Sequence, residues 1–279
     1  MMGGLTINKR VSIRIVLFTA LLVLLMYPMT YKKINNTVLE LYVGFKINIL
    51  EKGQVEKEKS KDEIFVSIMF DGGYNSVYEN AYPILLENDF TASIGVIPTY
   101  TYEEKHMSYN EIASLYIKGW DVLNQTYSHK ANMYDYCYEL LDDIQQAKKW
   151  MDNKYLKRSS DKVIIPFGEI NPYLIPLLKE AGYVSIRTSD NIILLNNDEI
   201  KYSEVKVFNV QSDTTVVELI DFLKKASLNK KDVLIIFNKI EDNVMGRTLS
   251  FSTDNFKQII EYIKNNMDKY EVVNFSDIQ

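Results

Sequence analysis

The stretch Phe70-Asp71-Gly72-Gly73-Tyr74 sets a carboxylate at the junction between an apolar run and a helical pattern. Open α/β sheets and α/β barrels place their catalytic groups there, at the carboxyl ends of strands. A carboxylate in that place can act as a general base or a metal ligand. It can also do no more than cap the turn and helix that follow. Other groups with chemical potential are few. The chain has two histidines, His106 and His129, and one cysteine, Cys137. A zinc site built mainly of histidines is excluded; a mixed site is not. One cysteine excludes an intrachain disulfide, and its place in a helical pattern reads as a small apolar side chain. His106 precedes a helix start and reads as a surface residue.

The elements that must position Asp71 follow from hydrophobic periodicity. Strand-like runs occupy Ile64 to Phe70, Thr91 to Ile97, Trp120 to Leu123, Val163 to Pro166, Val184 to Arg187, Val233 to Asn238 and Val272 to Phe275. Helical patterns lie between them, around Val77 to Leu86, Asn110 to Lys118, Tyr134 to Asn153, Pro172 to Ala181, Val216 to Lys225 and Asn255 to Asn265. In the first of these, Tyr82, Leu85 and Leu86 are the expected core-facing positions. Ser108 with Glu111 fits a capping box. Strands alternating with helices predict a largely parallel sheet. About seven strands over this length fit an α/β barrel better than an open sheet.

The motifs at the strand ends resemble the polysaccharide deacetylase family, the NodB-homology fold. Phe70 to Tyr74 resembles its F-D-D-G-Y motif. Met107-Ser108-Tyr109-Asn110-Glu111-Ile112 resembles its M-S/T-W-x-x-I segment. Asp121 to His129, DVLNQTYSH, is similar to E-I-G-S-H-T-x-S-H. Ile165-Pro166-Phe167-Gly168 is similar to x-P-Y-G, and Asp232 to Ile240, DVLIIFNKI, to the late L-x-H strand. Five motifs in order imply a distorted (β/α) barrel from Glu63 onward.

The resemblance also implies a chemistry. The family holds a divalent metal, often zinc, on the second aspartate of F-D-D-G-Y and on two histidines; the metal polarises an acetamide and activates water. The first aspartate is the base, a late-strand histidine the acid, and an arginine before P-Y-G orients the base. Here the base position keeps Asp71 and one metal position keeps His129. The other two metal positions are Gly72 and Gln125, the acid position is Asn238, and the arginine position is Ile164. Glycine has no side chain to coordinate, an amide is a poor zinc ligand, and asparagine cannot donate a proton near neutral pH. The expected outcome is a degenerate site with no cofactor, or a divalent metal such as zinc if the site is rebuilt, with Glu169 as a neighbouring replacement ligand. With its ligand partners gone, His129 then reads as a hydrogen-bonded structural residue rather than a metal ligand. Tyr74, Tyr127, Phe167 and Gly168 line the implied substrate side, the aromatics as a sugar platform, with Gly73 and Gly168 serving backbone needs.

Composition bounds the rest. The 279 residues are 47% hydrophobic and 25% charged, enough for a sizeable core. The net charge of −5 with no long basic block argues against nucleic acid. Ile15 to Tyr31 is a 17-residue apolar run behind Lys9, Arg10 and Arg14, short but sufficient for a membrane anchor. A signal peptide and a buried core helix are the alternatives; no small-x-small cleavage site is evident. The basic flank favours a cytoplasmic N-terminus and an external body. Residues 1–33 thus read as tip and anchor, 34–62 as stalk and charged linker, and 63–279 as the deacetylase-like domain. The expected partners are the membrane, a cell-surface polysaccharide containing N-acetylglucosamine, and a protein of an envelope complex. Three functions stay open: glycan binding without turnover, an active deacetylase with a rebuilt site, and a structural subunit of a membrane complex.

Overall fold

The computed structural model describes residues 63–278, apart from 131–134, 196–198 and 243–248. The anchor and linker expected over 1–62 lie outside these residues. Among the described residues no helix is long and apolar enough to cross a membrane.

Strand β1 (Ile64–Phe70) is IFVSIMF, buried along its whole length. A strand apolar on both faces belongs at the centre of a parallel sheet covered on two sides. It pairs with β9 (Val233–Phe237) on one side, and on the other with β12 (Tyr270–Val273) at its start and β2 (Ser93–Val96) at its end. β3 (Asp121–Asn124), β4 (Lys162–Ile164) and β5 (Ser185–Arg187) continue the parallel run from β2. β6 (Ile192–Leu195) and β7 (Ile200–Tyr202) add an antiparallel edge, and β8 (Lys206–Asn209) lies outside β9. The sheet has ten strands where about seven were expected. The additional ones are β6, β7 and β8; β7 and β8 have no fully buried residue whose hydrophobic pattern could register. A separate parallel pair joins β10 (Lys239–Glu241) to β11 (Ser250–Ser252).

The barrel character comes from curling rather than from a closed ladder. Ile192 and Leu194 of β6 share one core cluster with Leu234 and Ile236 of β9, although these strands are far apart in the sheet order. Asn209 Nδ2, at the end of β8, donates to the Ser189 carbonyl beyond β5 at 2.6 Å. The two ends of the sheet therefore approach each other across the core.

Among the described residues six helices pack outside: α1 (Tyr82–Glu87), α2 (Tyr109–Ile117), α3 (Cys137–Asn153), α4 (Leu174–Glu180), α5 (Val216–Leu228) and α6 (Thr253–Lys264). Ser108 and Glu111 form the expected capping box of α2, and Thr215 with Glu218 forms another on α5. The first helix departs from expectation. It opens with a π-turn over Val77–Ala81, whose extra residue rotates the following face. Leu85 is buried, but Leu86 is turned to solvent.

Candidate functional site

The carboxyl ends of β1, β3, β4, β5 and β9 converge on one end of the barrel. The ladder between β1 and β9 runs one bond further, Asp71 N–H donating to the Phe237 carbonyl at 2.9 Å, which sets Asn238 beside Asp71. Arg187, the last residue of β5, donates from its guanidinium to Asp71 Oδ2. Both side chains are largely buried, 4% and 15% exposed. β5 and β1 are four intervals apart, about 19 Å on a flat sheet. Only the curl brings them into contact. This corrects the expectation that the orienting arginine is lost. Ile164 does occupy its position, but Arg187 is the register partner of Ile164 on the adjacent strand. The guanidinium arrives at the same height from one strand over. An arginine closing the short apolar strand Val184 to Arg187 was the available signal. Asp71 thus binds across the barrel rather than capping the turn that follows it.

The two altered metal positions are bonded to each other. Gly72 N–H donates to Gln125 Oε1 at 2.7 Å in a buried setting. Gln125 reaches that point over Gly95, where a Cβ would stand 2.5 Å from Gln125 Oε1 and 2.7 Å from Ile164 Cδ1. Gly72 itself has φ +84°, and a Cβ there would meet the Tyr74 ring at 2.8 Å. The interior of the strand-end cleft is therefore filled by Gln125 and Ile164, with Tyr74 lying against Gly72.

Above this floor runs a series of rings. Tyr74 stacks on His106 at 4.6 Å, His106 meets Tyr100 at 4.7 Å, Tyr100 faces His129 at 6.4 Å, and His129 faces Phe167 at 5.0 Å. Lys239 Nζ sits 4.7 Å from the Tyr74 ring centroid. His106 is thus not the surface residue expected: its side chain is 10% exposed, and Nδ1 lies 3.4 Å from Glu103 Oε2. Tyr127 takes no part in the series. Its carbonyl accepts from Thr99 N–H and Oγ1, tying the β2 and β3 loops together. Thr126, His129 and Phe167 all have positive φ, at 62°, 47° and 60°. Such strained residues cluster at functional sites. Gly168, at φ +77°, lies against the Ser189 backbone and fixes the Phe167 turn.

Burial is the main cause that lowers the pKa of both histidines below 6.5; Glu103 opposes it at His106, and Asp71 at His129. A histidine with a folded pKa below its unfolded value binds fewer protons folded than unfolded as pH falls through that window. Stability is then fully present above about pH 6.5 and declines as pH drops through the folded values. Denaturant midpoints measured from pH 7.5 to 5 are expected to fall, and less steeply in a His106→Gln/His129→Gln variant.

Residues 58–186 match the family model for polysaccharide deacetylase. The matched stretch, under half of the chain, is similar to a polysaccharide deacetylase domain. A poly-β-1,6-N-acetyl-D-glucosamine N-deacetylase of Staphylococcus aureus is 28% identical over 131 residues, 42% of this chain and 45% of that protein. The chain thus spans less than half the length of the curated relatives it matches. Two solved structures share the fold. The peptidoglycan deacetylase PdaC from Bacillus subtilis has a TM-score of 0.50 at 14% identity, covering 79% of this chain and 92% of that one. A CE4 esterase of Streptococcus mutans has a TM-score of 0.53 at 12% identity, covering 77% and 86%.

The donor set at these strand ends does not fit the divalent metal of the deacetylase family that the chain resembles. Three protein ligands plus water are the usual catalytic zinc arrangement. Gly72 offers none, Gln125 Oε1 is taken by a backbone N–H, and Asp71 is paired with Arg187. His129 is left. Glu169, the neighbouring candidate, is exposed on its loop. Among the described residues no group of three histidine, cysteine, aspartate or glutamate side chains is placed to hold a metal ion.

Proposed function

We propose that this chain is a degenerate polysaccharide deacetylase that holds or organises an N-acetylglucosamine-containing surface polysaccharide, or the complex that modifies it, without turnover. Its N-terminal segment anchors it in the membrane and its domain faces outward. The Gly72–Gln125 hydrogen bond carries this reading, because it joins two of the three metal-ligand positions and leaves neither for a metal. Loss of two coordinating groups exceeds loss of a second-shell partner, which alone lowers metal affinity or activity about 10–100-fold. Asn238 at the acid position removes roughly another 10²–10⁴ in rate. The ring series keeps an aromatic face over the same strand ends, suited to the apolar faces of sugar rings. The glycan class is supported by the Staphylococcus aureus relative, named for poly-β-1,6-N-acetyl-D-glucosamine. The anchor and orientation rest on Ile15 to Tyr31 and its basic flank.

The test uses the full chain in detergent with a β-1,6-linked N-acetylglucosamine hexamer and added zinc. Binding without acetate release is the expected result. Zinc-dependent acetate release abolished by Asp71→Ala would establish a rebuilt deacetylase instead. Failure to bind any aminosugar oligomer, with a stable protein partner co-purifying, would favour the structural subunit.

A further inference from the structure

Helix α5 has two faces of opposite character. Leu219, Leu223 and Ala226 are buried beneath it, and Phe222 packs on Phe208 of β8 with ring centroids 4.9 Å apart. Val217, Asp221, Lys224 and Leu228 recur at spacings of four, three and four. At 3.6 residues per turn that spacing keeps them in one stripe, on the side away from Leu219, Leu223 and Ala226. All four are exposed. Leu228 and Val217, 85% and 67% exposed, are the two most exposed aliphatic side chains among the described residues. A single exposed aliphatic residue is ordinary on a protein surface. Two that close the ends of one seam, at the four-three spacing of paired helices, form a contact pattern.

The charges on α5 are sorted along its length. Its four charged residues are Glu218 and Asp221 in the first half, then Lys224 and Lys225 in the second. The helix dipole favours that order, but it gives no reason for Val217 and Leu228 to stay uncovered. Lys224 Nζ lies 3.7 Å from Asp221 Oδ1, with both side chains more than half exposed. Such a solvated pair contributes little by itself and leaves both groups able to meet further charges.

We infer that α5 is the contact surface for a second copy of this chain, set antiparallel about a two-fold axis. An axis level with the midpoint between Phe222 and Leu223 sets Val217 of one copy against Leu228 of the other, and Asp221 of one against Lys224 of the other. The two-fold repeats both contacts. The seam is then apolar at its two ends and holds two opposite-charge pairs in its middle. Glu218 and Lys225 border it on one side, where the same pairing brings Glu218 of one copy alongside Lys225 of the other. A parallel two-fold pair would instead align Asp221 with Asp221 and Lys224 with Lys224. An isologous contact requires a self-complementary surface, and the stripe meets that requirement in one orientation. A single pair of 13-residue helices belongs with the small interfaces, under about 1,200 Å², so association is weak and reversible. Because α5 joins parallel β8 to β9, it runs against them. The strand ends of the two copies therefore face opposite ways and stay open.

Sedimentation of the full chain in density-matched detergent, read over a concentration series, measures the association. A monomer–dimer equilibrium is expected. Lys224→Glu turns both opposite-charge pairs repulsive and should weaken the dimer at least about tenfold. Asp221→Lys/Lys224→Asp should restore it, because the exchange keeps the pairing. Register is read separately with a short thiol-to-thiol crosslinker in a Cys137→Ser background. Val217→Cys/Leu228→Cys should yield a crosslinked dimer. Val217→Cys alone and Leu228→Cys alone should not, since the two-fold holds like positions roughly 16 Å apart along the helix. A chain that sediments as a monomer throughout, or a dimer that Lys224→Glu leaves unchanged, overturns the inference. So do single-cysteine variants that crosslink as well as the double one. No glycan enters either measurement, so the outcome is independent of the glycan-binding reading.

Discussion

Arg187→Met is expected to destabilise the chain by about 3–5 kcal/mol, the usual consequence of removing one partner from a buried ion pair. The substitution leaves the largely buried Asp71 carboxylate, at the strand-end mouth of the barrel, with no compensating charge. For a domain of this size the transition temperature should drop by roughly 6–20 °C. Asp71→Leu combined with Arg187→Met is expected to recover most of that loss. The pair stabilises less than its contact suggests, because Asp71 Oδ1 and Arg187 Nε are buried with no hydrogen-bond partner. Two apolar side chains of similar volume remove both orphaned atoms. Urea unfolding of the native chain, the two single variants and the double variant closes the cycle. If Arg187→Met alone shifts stability by less than about 1 kcal/mol, the pair is solvated as surface pairs are, and the curled-barrel account of its burial is wrong.

The second large effect concerns the metal. Gly72→Asp/Gln125→His is expected to raise zinc affinity by more than about 100-fold over the native chain, since it returns two coordinating groups where loss of an indirect partner alone alters affinity 10–100-fold. The same variant should be less stable than the native chain. Gly72 sits at φ +84°, which costs a non-glycine residue about 1–3 kcal/mol, and its new Cβ would press on the Tyr74 ring. The variant also loses the 2.7 Å bond from Gly72 N–H to Gln125. Adding Tyr74→Ala should relieve the clash and strengthen zinc binding further. Zinc titration and thermal unfolding of the three proteins measure these effects separately. A native chain that already binds stoichiometric zinc at the micromolar level would refute the bonded-glutamine account of the site.

Much of this molecule is readable one segment at a time. The apolar run Ile64 to Phe70 reads as a central strand, because seven residues rich in β-branched and aromatic side chains suit a strand buried on both faces. Ser108 and Glu111 cap their helix through contacts three residues apart. The positions of Asp71, Gln125, His129 and Asn238 at strand ends follow from the strand–helix alternation and the family motifs. What escaped was short or rotated. β7 and β8 have no fully buried residue to mark them by a hydrophobic pattern, and the π-turn at Val77–Ala81 shifts the face of α1 by a residue that no pattern marks.

Local chemistry alone determined that Gly72 cannot coordinate, that Asn238 cannot act as an acid, and that the fold is a parallel α/β one. Those are properties of side chains and of hydrophobic spacing. Tertiary structure alone decided that Arg187 replaces the arginine missing at Ile164, that Gln125 closes onto Gly72, and that His106 joins a series of rings. Each of these joins groups from different strands or loops. Sequence distance carries no record of such meetings, because they depend on how far the sheet curls before its core is full.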